Sequence, residues 1–396
     1  MNRDREIKIL LIALESIDNI GEELLRKSTE FLVRQSNENV KICIAQLKPY
    51  WLLVPSQYKI DYLIGRFIWI IFSWMEGNIS YKVKNISYQI KYYRYFSSII
   101  RQSDKIIFSV GMIKYSTQDF SYLFYLVNKL ATKFDKPVMM SAMSPQPADN
   151  FDWRYSQLVE AINMPAVKML TTRDGEIGVK ILKSDYKRVN LYCDYVGDPA
   201  LWIPEIYGVK KEERQGKVPH IGINIIRKGI FDDYNKALTD EELFNIYVQL
   251  IRLFEAKGWR WSLFTNGMKK DIAVLKELQL ELNVDEEHVM PTCEDGKSYV
   301  EMISHFDVVF GARLHACIAS IAVGIPVVGF VWDDKLRHFS ETMKISQYFF
   351  NPKEMEVGSI FQRIEEAMRY SLDLDNRDYL KLKTLKSVRD FTNEYV

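Results

Sequence analysis

Two side chains that can hold an anion and move a proton stand two residues apart in the segment GARLHACIASIAVG. A buried strand is predicted to end at Gly311, after which Arg313 and His315 open a helix. The first turn of a helix has free N–H groups and a partial positive charge, so it attracts anions. Arg313 adds a planar set of donors that suits phosphate or carboxylate, and His315 can transfer a proton beside that anion. A helix cap or a packing contact is the structural alternative for both residues.

Further basic side chains follow other predicted strands in the second half of the chain. Lys335 comes after the strand IPVVGFV, and Arg227 comes after the strand of GINIIRKG. The ends of neighbouring parallel strands share one edge of a sheet, so we expect these cations to lie near Arg313. For Arg227, an ordinary surface position is the alternative. The dipeptide Asn266-Gly267 predicts a tight turn after another strand.

Loops of the first half carry candidates for binding a second substrate. In the loop DNIGEELL, Asn19 and Gly21 permit unusual backbone angles, and Glu22 favours the start of a helix. A substrate hydroxyl can bind this loop, although helix capping explains its composition equally well. Lys114 closes the segment SVGMIK, which ends another strand at the same side of the predicted fold.

The composition narrows the class of protein. Hydrophobic residues make up 47% and charged residues 27%, as in a globular chain, and the net charge of +1 argues against a nucleic-acid partner. Four cysteines without a CxxC pair argue against zinc sites and disulfides and favour a reducing compartment. The dinucleotide, P-loop, HExxH and GxSxG motifs do not occur. We predict no metal site, with the carboxylate pairs 232–233 and 333–334 as the weak alternative.

The remaining histidines and one ion pair are expected to be structural. His220, His288, His305 and His338 lie in segments without converging partners. Arg173 with Asp174 is predicted to be an ion pair near a strand end.

Strands and helices alternate along both halves of the sequence. Continuous apolar strands separated by helices are typical of parallel sheets covered on both faces. Strands are predicted at 7–14, 41–47, 105–110, 137–142, 220–226, 260–265, 306–311 and 325–331. Helices are predicted at about 22–35, 119–134 and 240–258, at 315–324 and in the tail. Thr239 or Asp240 is the predicted N-cap of the third helix.

The predicted fold class is α/β, with two doubly wound Rossmann-like domains facing a cleft. We place an N-terminal domain at 1–205 and a C-terminal domain at 216–350, because a proline-bearing and then highly charged segment separates the two halves. The helical tail at 351–396 is predicted to pack back on the first domain.

The segment 67–105 suggests contact with a membrane surface. Its apolar run FIWIIFSWM (67–75) is too short to cross a bilayer, which takes about 20 apolar residues. Residues 79–105 then carry one acidic residue, Asp104, and six basic ones: Lys82, Lys84, Lys91, Arg94, Arg101 and Lys105. A basic aromatic surface of this kind can rest on an anionic bilayer. A helical hairpin packed into the first domain is the alternative.

Taken in order, these segments resemble the polysaccharide pyruvyl transferase family over about residues 7–345. The resemblance rests on Arg313-Leu314-His315, followed by Gly324-Ile325-Pro326-Val327-Val328 and then by Asp334-Lys335. Further matches are Asp198-Pro199-Ala200-Leu201, Arg173-Asp174, Asn266-Gly267 and Arg227. The family's Asn-x-Gly-Asp loop is here Asn19-Ile20-Gly21-Glu22, and its glycine-rich turn is reduced to Val110-Gly111-Met112. Both departures fall where an acceptor would bind.

The resemblance implies a fold similar to the B-type glycosyltransferases, with an acceptor-side first domain and a donor-side second domain. The implied reaction moves the enolpyruvyl group of phosphoenolpyruvate onto a hexose of a surface polysaccharide, such as a capsule or exopolysaccharide, or onto its lipid-linked precursor. The product is a pyruvate ketal. Phosphoenolpyruvate is the implied co-substrate, with no further cofactor. The predicted location, from the cysteines and the segment 67–105, is the cytoplasm with peripheral contact at the inner membrane face.

The resemblance also assigns roles to residues. His315 and Arg313 would be catalytic. The implied donor-binding residues are Arg227, Arg313, Lys335, Asn266 and Gly267, and the implied acceptor-binding residues are Asn19, Glu22 and Lys114.

Two other classes of protein remain open. A B-type glycosyltransferase that uses a nucleotide sugar needs the same architecture and the same anion-binding helix. A non-catalytic sugar-binding or scaffold protein would instead have Arg227 and Arg313 both paired to carboxylates.

Overall fold

The computed structural model describes residues 6–14, 19–49, 51–72, 77–116, 120–186, 192–212, 218–234, 237–369 and 372–394. Several predicted features reach beyond these residues. They are the end of the apolar run at 73–75, the predicted helix start at 119 and part of the segment between the predicted domains, at 213–217.

Helices and strands alternate through both halves of the chain, as the sequence predicts. The first half contains β1 (Ile7–Ala13), α1 (Ile20–Ser36), β2 (Val40–Gln46), α2 (Lys59–Phe72), α3 (Gly77–Arg101), β3 (Lys105–Ser109), β4 (Met112–Ile113), α4 (Phe120–Lys133), β5 (Val138–Pro145), α5 (Trp153–Ile162), β6 (Val167–Thr172), α6 (Gly175–Asp185) and β7 (Tyr192–Tyr195).

The second half begins with a short helix and ends with two long ones. It contains α7 (Ile203–Tyr207), β8 (His220–Asn224), α8 (Ile230–Asp233), α9 (Asp240–Ala256), β9 (Arg260–Phe264), α10 (Lys269–Leu282), α11 (Gly296–Ser304), β10 (Val308–Gly311), α12 (Leu314–Val323), β11 (Val327–Phe330), α13 (Asp334–Thr342), β12 (Phe349–Phe350), α14 (Val357–Arg369) and α15 (Leu374–Glu394).

The described residues fall into two compact units. The first comprises those of Met1–Leu14, Leu32–Val196 and Leu385–Val396, and the second comprises those of Glu15–Phe31 and Gly197–Thr384. The first part of α1 therefore belongs with the second unit, and the end of α15 belongs with the first. The domain bounds drawn from the sequence stay a prediction.

The first unit is built on a parallel sheet with strand order β2-β1-β3-β5-β6-β7, and β4 pairs with β5. Its central strands read as unbroken apolar runs because helices cover both faces. Leu10, Phe108 and Met140 are fully buried in its core. Truncation of Phe108 to alanine would therefore lower the free energy of unfolding by about 3–5 kcal/mol.

The helical hairpin of α2 and α3 packs on this unit. Tyr88, Tyr92 and Phe96 of α3 are buried in the same core. The packed-hairpin alternative is therefore confirmed for this face of α3.

The second unit is built on a parallel sheet with strand order β12-β11-β10-β8-β9. Helix α9 starts as predicted, because Thr239 and Glu242 form a reciprocal capping box. The predicted strand 220–226 is too long, since β8 ends at Asn224. Ile225 and Ile226 are nevertheless fully buried, so an apolar run marks burial beyond the end of the strand.

Both sheets are doubly wound and parallel, which confirms the predicted α/β fold class with two Rossmann-like units.

Candidate functional site

The second sheet reverses its direction of winding between β8 and β10, and both predicted arginines follow these two strands. Arg227 comes three residues after β8, and Arg313 comes two residues after β10. In doubly wound sheets, ligands bind outside the carboxyl ends of the strands at such a reversal. The structure therefore places both arginines at the position where this fold binds ligands.

A buried carboxylate fixes the guanidinium of Arg313. Asp271, in the first turn of α10, is fully buried and accepts hydrogen bonds from Arg313 Nε at 2.9 Å and from Arg313 Nη2 at 2.5 Å. It also accepts the backbone N–H of Arg227 at 2.9 Å. A guanidinium has five N–H donors, and this two-point contact uses two of them. Asp271 therefore sets the plane of Arg313 and leaves the Nη1 side for other partners.

Sequence reasoning missed Asp271. It sits beside the Asn266-Gly267 turn in LFTNGMKKD, where it resembles an ordinary acidic residue of a helix start. Nothing in that local pattern indicates a partner 42 residues further along the chain.

A buried amide network anchors the start of α12. Asn224 Oδ1 accepts the backbone N–H of Arg313 at 2.9 Å, and Asn224 Nδ2 donates to Asn266 Oδ1 at 3.1 Å. Asn266 Oδ1 also accepts from the Tyr299 hydroxyl at 3.0 Å, and the Asn266 carbonyl accepts the Ile20 N–H at 3.1 Å. Both oxygens of Asn266 therefore accept hydrogen bonds from other residues of the protein. Binding of the donor substrate by Asn266 stays a prediction. Gly267 takes the turn with φ +93, a backbone angle that favours glycine.

His315 lies against the first turn of α1. It is half-buried, and its Nε2 atom is buried. Gly21, the second residue of α1, faces its ring so closely that a Cβ on residue 21 would lie 2.5 Å from His315 Cγ. The expectation of unusual backbone angles at Gly21 is wrong, because this residue lies in regular helix. A glycine is needed there because the imidazole occupies the space of a side chain.

The predicted acceptor residues lie in different units. Asn19 Oδ1 accepts the Gly21 N–H at 3.2 Å, and Asn19 Nδ2 donates to Glu22 Oε1 at 3.4 Å, both within the second unit. These bonds are those of a helix cap, which the sequence left as the alternative. Lys114 follows β4 in the first unit and is half-buried. Acceptor binding by these residues stays a prediction.

Aromatic side chains connect Arg313 with Lys335. Arg313 Cζ lies 5.8 Å from the ring centre of Trp332, and the Tyr234 ring meets Trp332 edge-on at 5.0 Å. The next residue, Asp333, caps α13 and pairs with Lys335 Nζ at 3.1 Å. Burial, followed by the Asp333 charge, raises the pKa of Tyr234 to about 12. The Tyr234 phenol is therefore a hydrogen-bond donor at neutral pH.

Sequence reasoning also missed Trp332 and Tyr234. The only local signal is an aromatic residue two positions after β11 in the segment VWDDK.

Both arginines are paired to carboxylates, which is the arrangement expected of a non-catalytic protein. Arg227 Nη2 binds Asp233, and Arg227 Nη1 donates to the Lys228 carbonyl at 3.0 Å. The two pairs differ in exposure, since the side chain of Asp233 is 55% exposed and that of Asp271 is fully buried. An exposed pair contributes at most about 1 kcal/mol, so an incoming anion can replace Asp233 at small cost.

Three other histidines make structural contacts, as expected. His220 Nε2 lies 2.9 Å from Ser262 Oγ, and His288 stacks on Trp261 with ring centres 4.1 Å apart. His305 Nδ1 lies 2.9 Å from Glu212 Oε2. Within the part of the chain that the structure describes, no group of three or more His, Cys, Asp or Glu side chains could hold a metal ion.

Arg173 and Asp174 form a buried cluster in the first unit, at the ends of β5 and β6. The hydroxyl of Ser144 donates to Asp174 Oδ1 at 2.8 Å and accepts from Arg173 Nε at 3.1 Å. The hydroxyl therefore links the two charged side chains that the sequence predicted to interact.

Solved structures of two UDP-GlcNAc 2-epimerases and a trehalose 6-phosphate synthase share the fold of the whole chain. UDP-GlcNAc 2-epimerase from Methanocaldococcus jannaschii has a TM-score of 0.59 at 11% identity, covering 98% of this chain and 99% of that one. The Neisseria meningitidis UDP-GlcNAc 2-epimerase bound to UDP-GlcNAc has a TM-score of 0.55 at 10% identity, covering 97% and 98%. The trehalose 6-phosphate synthase from Burkholderia multivorans has a TM-score of 0.53 at 11% identity, covering 97% and 95%. At such low identity the likeness shows the fold alone, and it confirms the similarity to B-type glycosyltransferases.

A family assignment comes from the sequence itself. No curated protein matches the chain. The family model described as polysaccharide pyruvyl transferase matches residues 19–334, which is most of the chain and includes Gly21, Arg227, Asp271, Arg313 and His315. The chain therefore belongs to the polysaccharide pyruvyl transferase family.

Proposed function

We propose that the protein transfers the enolpyruvyl group of phosphoenolpyruvate to two hydroxyl groups of a hexose and closes them into a pyruvate ketal. The hexose belongs to a surface polysaccharide or to its lipid-linked precursor. All four cysteines are free, which suits the cytoplasm as the site of the reaction.

The basic side chains at the ends of β8, β10 and β11 support this donor. Phosphoenolpyruvate carries a phosphate and a carboxylate, so its binding needs several cationic donors in one place. Arg313 and the backbone of Arg227 meet at Asp271, and Trp332 connects Arg313 with the Asp333–Lys335 pair. The observation that carries the proposal is that Arg313 and His315 stand together at the start of α12, where the sheet reverses its direction of winding. The two-point contact with Asp271 fixes the guanidinium there and leaves its Nη1 side for an anion.

The reaction can be written with His315 as general acid. His315 protonates the methylene carbon of the enol, and the neighbouring carbon becomes a cationic centre. One hexose hydroxyl attacks this centre and returns a proton to the imidazole. The second hydroxyl then displaces phosphate, which leaves with the remaining proton, and Arg313 and Arg227 stabilise its charge. General acid catalysis is typically worth about 10²–10⁴-fold in rate.

Phosphate release from phosphoenolpyruvate, measured with a set of candidate oligosaccharide acceptors, tests this function. His315→Ala should reduce turnover by at least about 10²-fold with folding intact. His305→Ala removes a half-exposed imidazole of the same unit and should leave turnover unchanged. Near-normal turnover of the His315 variant would show that this residue is not the acid.

Arg313→Lys tests the donor contact separately. Lysine keeps the charge but loses the planar fork, so donor affinity should fall. Unchanged affinity for phosphoenolpyruvate would argue against contact between Arg313 and the donor.

A glycosyltransferase that uses a nucleotide sugar is the second candidate. It is favoured by the shared fold with a UDP-GlcNAc 2-epimerase that was solved with UDP-GlcNAc bound. Thermal stabilisation separates the two: our proposal predicts a higher Tm with phosphoenolpyruvate and no change with UDP-sugars. The opposite pattern would favour the second candidate. A Tm that responds to neither ligand would favour the non-catalytic alternative.

A further inference from the structure

Helix α2 exposes an apolar stripe. Six of its side chains are 41–70% exposed, and they recur at the spacing of one helical face: Ile60, Leu63, Ile64, Phe67, Ile70 and Ile71. At 1.5 Å per residue the stripe is about 16 Å long. Soluble proteins rarely leave contiguous apolar surface of this kind uncovered, so it marks an interaction site.

The opposite face of α2 is held firmly against α3. Gly65 is buried, and a Cβ on it would lie 2.6 Å from the Ser87 carbonyl oxygen. The Ser87 hydroxyl donates to the Gly65 carbonyl at 2.6 Å, and Lys91 Nζ lies 4.0 Å from the ring centre of Tyr62. Because α3 fixes the orientation of α2, the apolar stripe stays exposed and α2 cannot rotate to bury it.

The hairpin that carries the stripe is strongly basic. Residues 59–101 contain seven Lys and Arg and two Asp and Glu, whereas the whole chain has a net charge of +1. The hairpin thus carries 7 − 2 = +5, and the remainder of the chain carries 1 − 5 = −4. Arg66 beside the stripe and Lys82 on α3 are both exposed. An extended anionic surface is therefore expected to bind the hairpin in preference to the remainder of the chain.

We propose that the exposed face of α2, flanked by the basic residues of the hairpin, binds the surface of a bilayer that contains anionic phospholipids. An apolar helix face with cations at its borders lies in the interface plane, where apolar side chains enter the acyl boundary and lysines and arginines contact the headgroups. α2 has 14 residues, and no helix in the described part of the chain is long and apolar enough to span a membrane. The helix therefore lies on the bilayer rather than across it.

Flotation of the purified protein with phosphatidylglycerol-containing vesicles, compared with pure phosphatidylcholine vesicles, tests the proposal. The wild type should float with the anionic vesicles only, and 0.5 M salt should weaken the binding. Ile64→Asp/Phe67→Asp should reduce the bound fraction at least about tenfold, because it removes two apolar side chains from the stripe. Leu280→Asp is the matched control, since Leu280 is an exposed apolar residue of a helix in the other unit.

The charge contribution is tested by Arg66→Glu/Lys82→Glu, which should also abolish flotation with anionic vesicles. Absence of wild-type flotation with both vesicle types would overturn the proposal. So would a dimer in light scattering that Ile64→Asp/Phe67→Asp dissociates without any vesicle binding, because the stripe would then join two copies of the chain. The vesicles contain no sugar and no phosphoenolpyruvate, so the result does not depend on the proposed reaction.

Discussion

The contact between Gly21 and His315 allows a sharp test of the catalytic assignment. A Cβ on residue 21 would lie 2.5 Å from His315 Cγ and closer still to Nδ1, whereas ordinary contact begins at 3.4 Å. Gly21→Ala must therefore move the imidazole or the helix start by about 1 Å. Misplacement of a catalytic group by that amount costs about 10²-fold in rate. We expect Gly21→Ala to reduce phosphate release from phosphoenolpyruvate about a hundredfold in a folded protein.

Gly358→Ala is the matched control for this variant. Gly358 is also the second residue of a helix, α14, but a Cβ there would meet nothing within 4 Å. Its replacement should leave turnover unchanged and stabilise the fold by up to about 1 kcal/mol. In a His315→Ala background, Gly21→Ala should cost less than tenfold, because the ring atoms at 2.3 and 2.5 Å are gone and only the Cβ of residue 315, at 2.8 Å, remains. Normal turnover of the single Gly21→Ala variant would refute the reasoning.

Three further predictions concern charged groups. Arg227→Ala should weaken binding of phosphoenolpyruvate at least about tenfold in titration calorimetry, while Lys228→Ala, which breaks a neighbouring exposed pair with Glu277, should not weaken it. Asp271→Ala should lower the free energy of unfolding in urea by about 3–5 kcal/mol, because it leaves the guanidinium of Arg313 without its buried carboxylate, and a cost below 1 kcal/mol would contradict the pair. Lys105 is buried, and burial lowers its pKa from 10.5 to about 8. Between these two pH values the unfolded chain binds more protons than the folded chain, so the free energy of unfolding rises with pH. Relative to Lys105→Met, wild-type stability should therefore increase from pH 8 to 10.5, by at most about 1.4 kcal/mol per pH unit, and a flat difference would show an ordinary pKa.

Local patterns predicted the sheets and the position of the arginines. Buried parallel strands are continuous apolar runs, so β1, β3, β8 and β10 stand out in the sequence. Arg313 and His315 come directly after such a run, and the fold places the end of that strand at the sheet reversal.

Contacts between distant segments could not be predicted in the same way. Asp271 and Arg313 belong to different strand–helix connections, and Gly21 is 294 residues before His315 in the sequence. A glycine in a loop sequence indicates backbone freedom, since the sequence shows the residue type of Gly21 but not the imidazole that occupies the space beside it. The apolar run at 67–75 lies partly in α2, yet the stripe begins at Ile60, in a stretch where Asp61, Gly65 and Arg66 interrupt the apolar residues.

Equilibrium binding of phosphoenolpyruvate to the wild-type protein and to Arg313→Lys tests the central claim most directly, because it needs no knowledge of the acceptor. We predict saturable binding to the wild type, at least about tenfold weaker binding to the variant and no heat with UDP-GlcNAc. Saturable binding of UDP-GlcNAc with none of phosphoenolpyruvate would contradict the account.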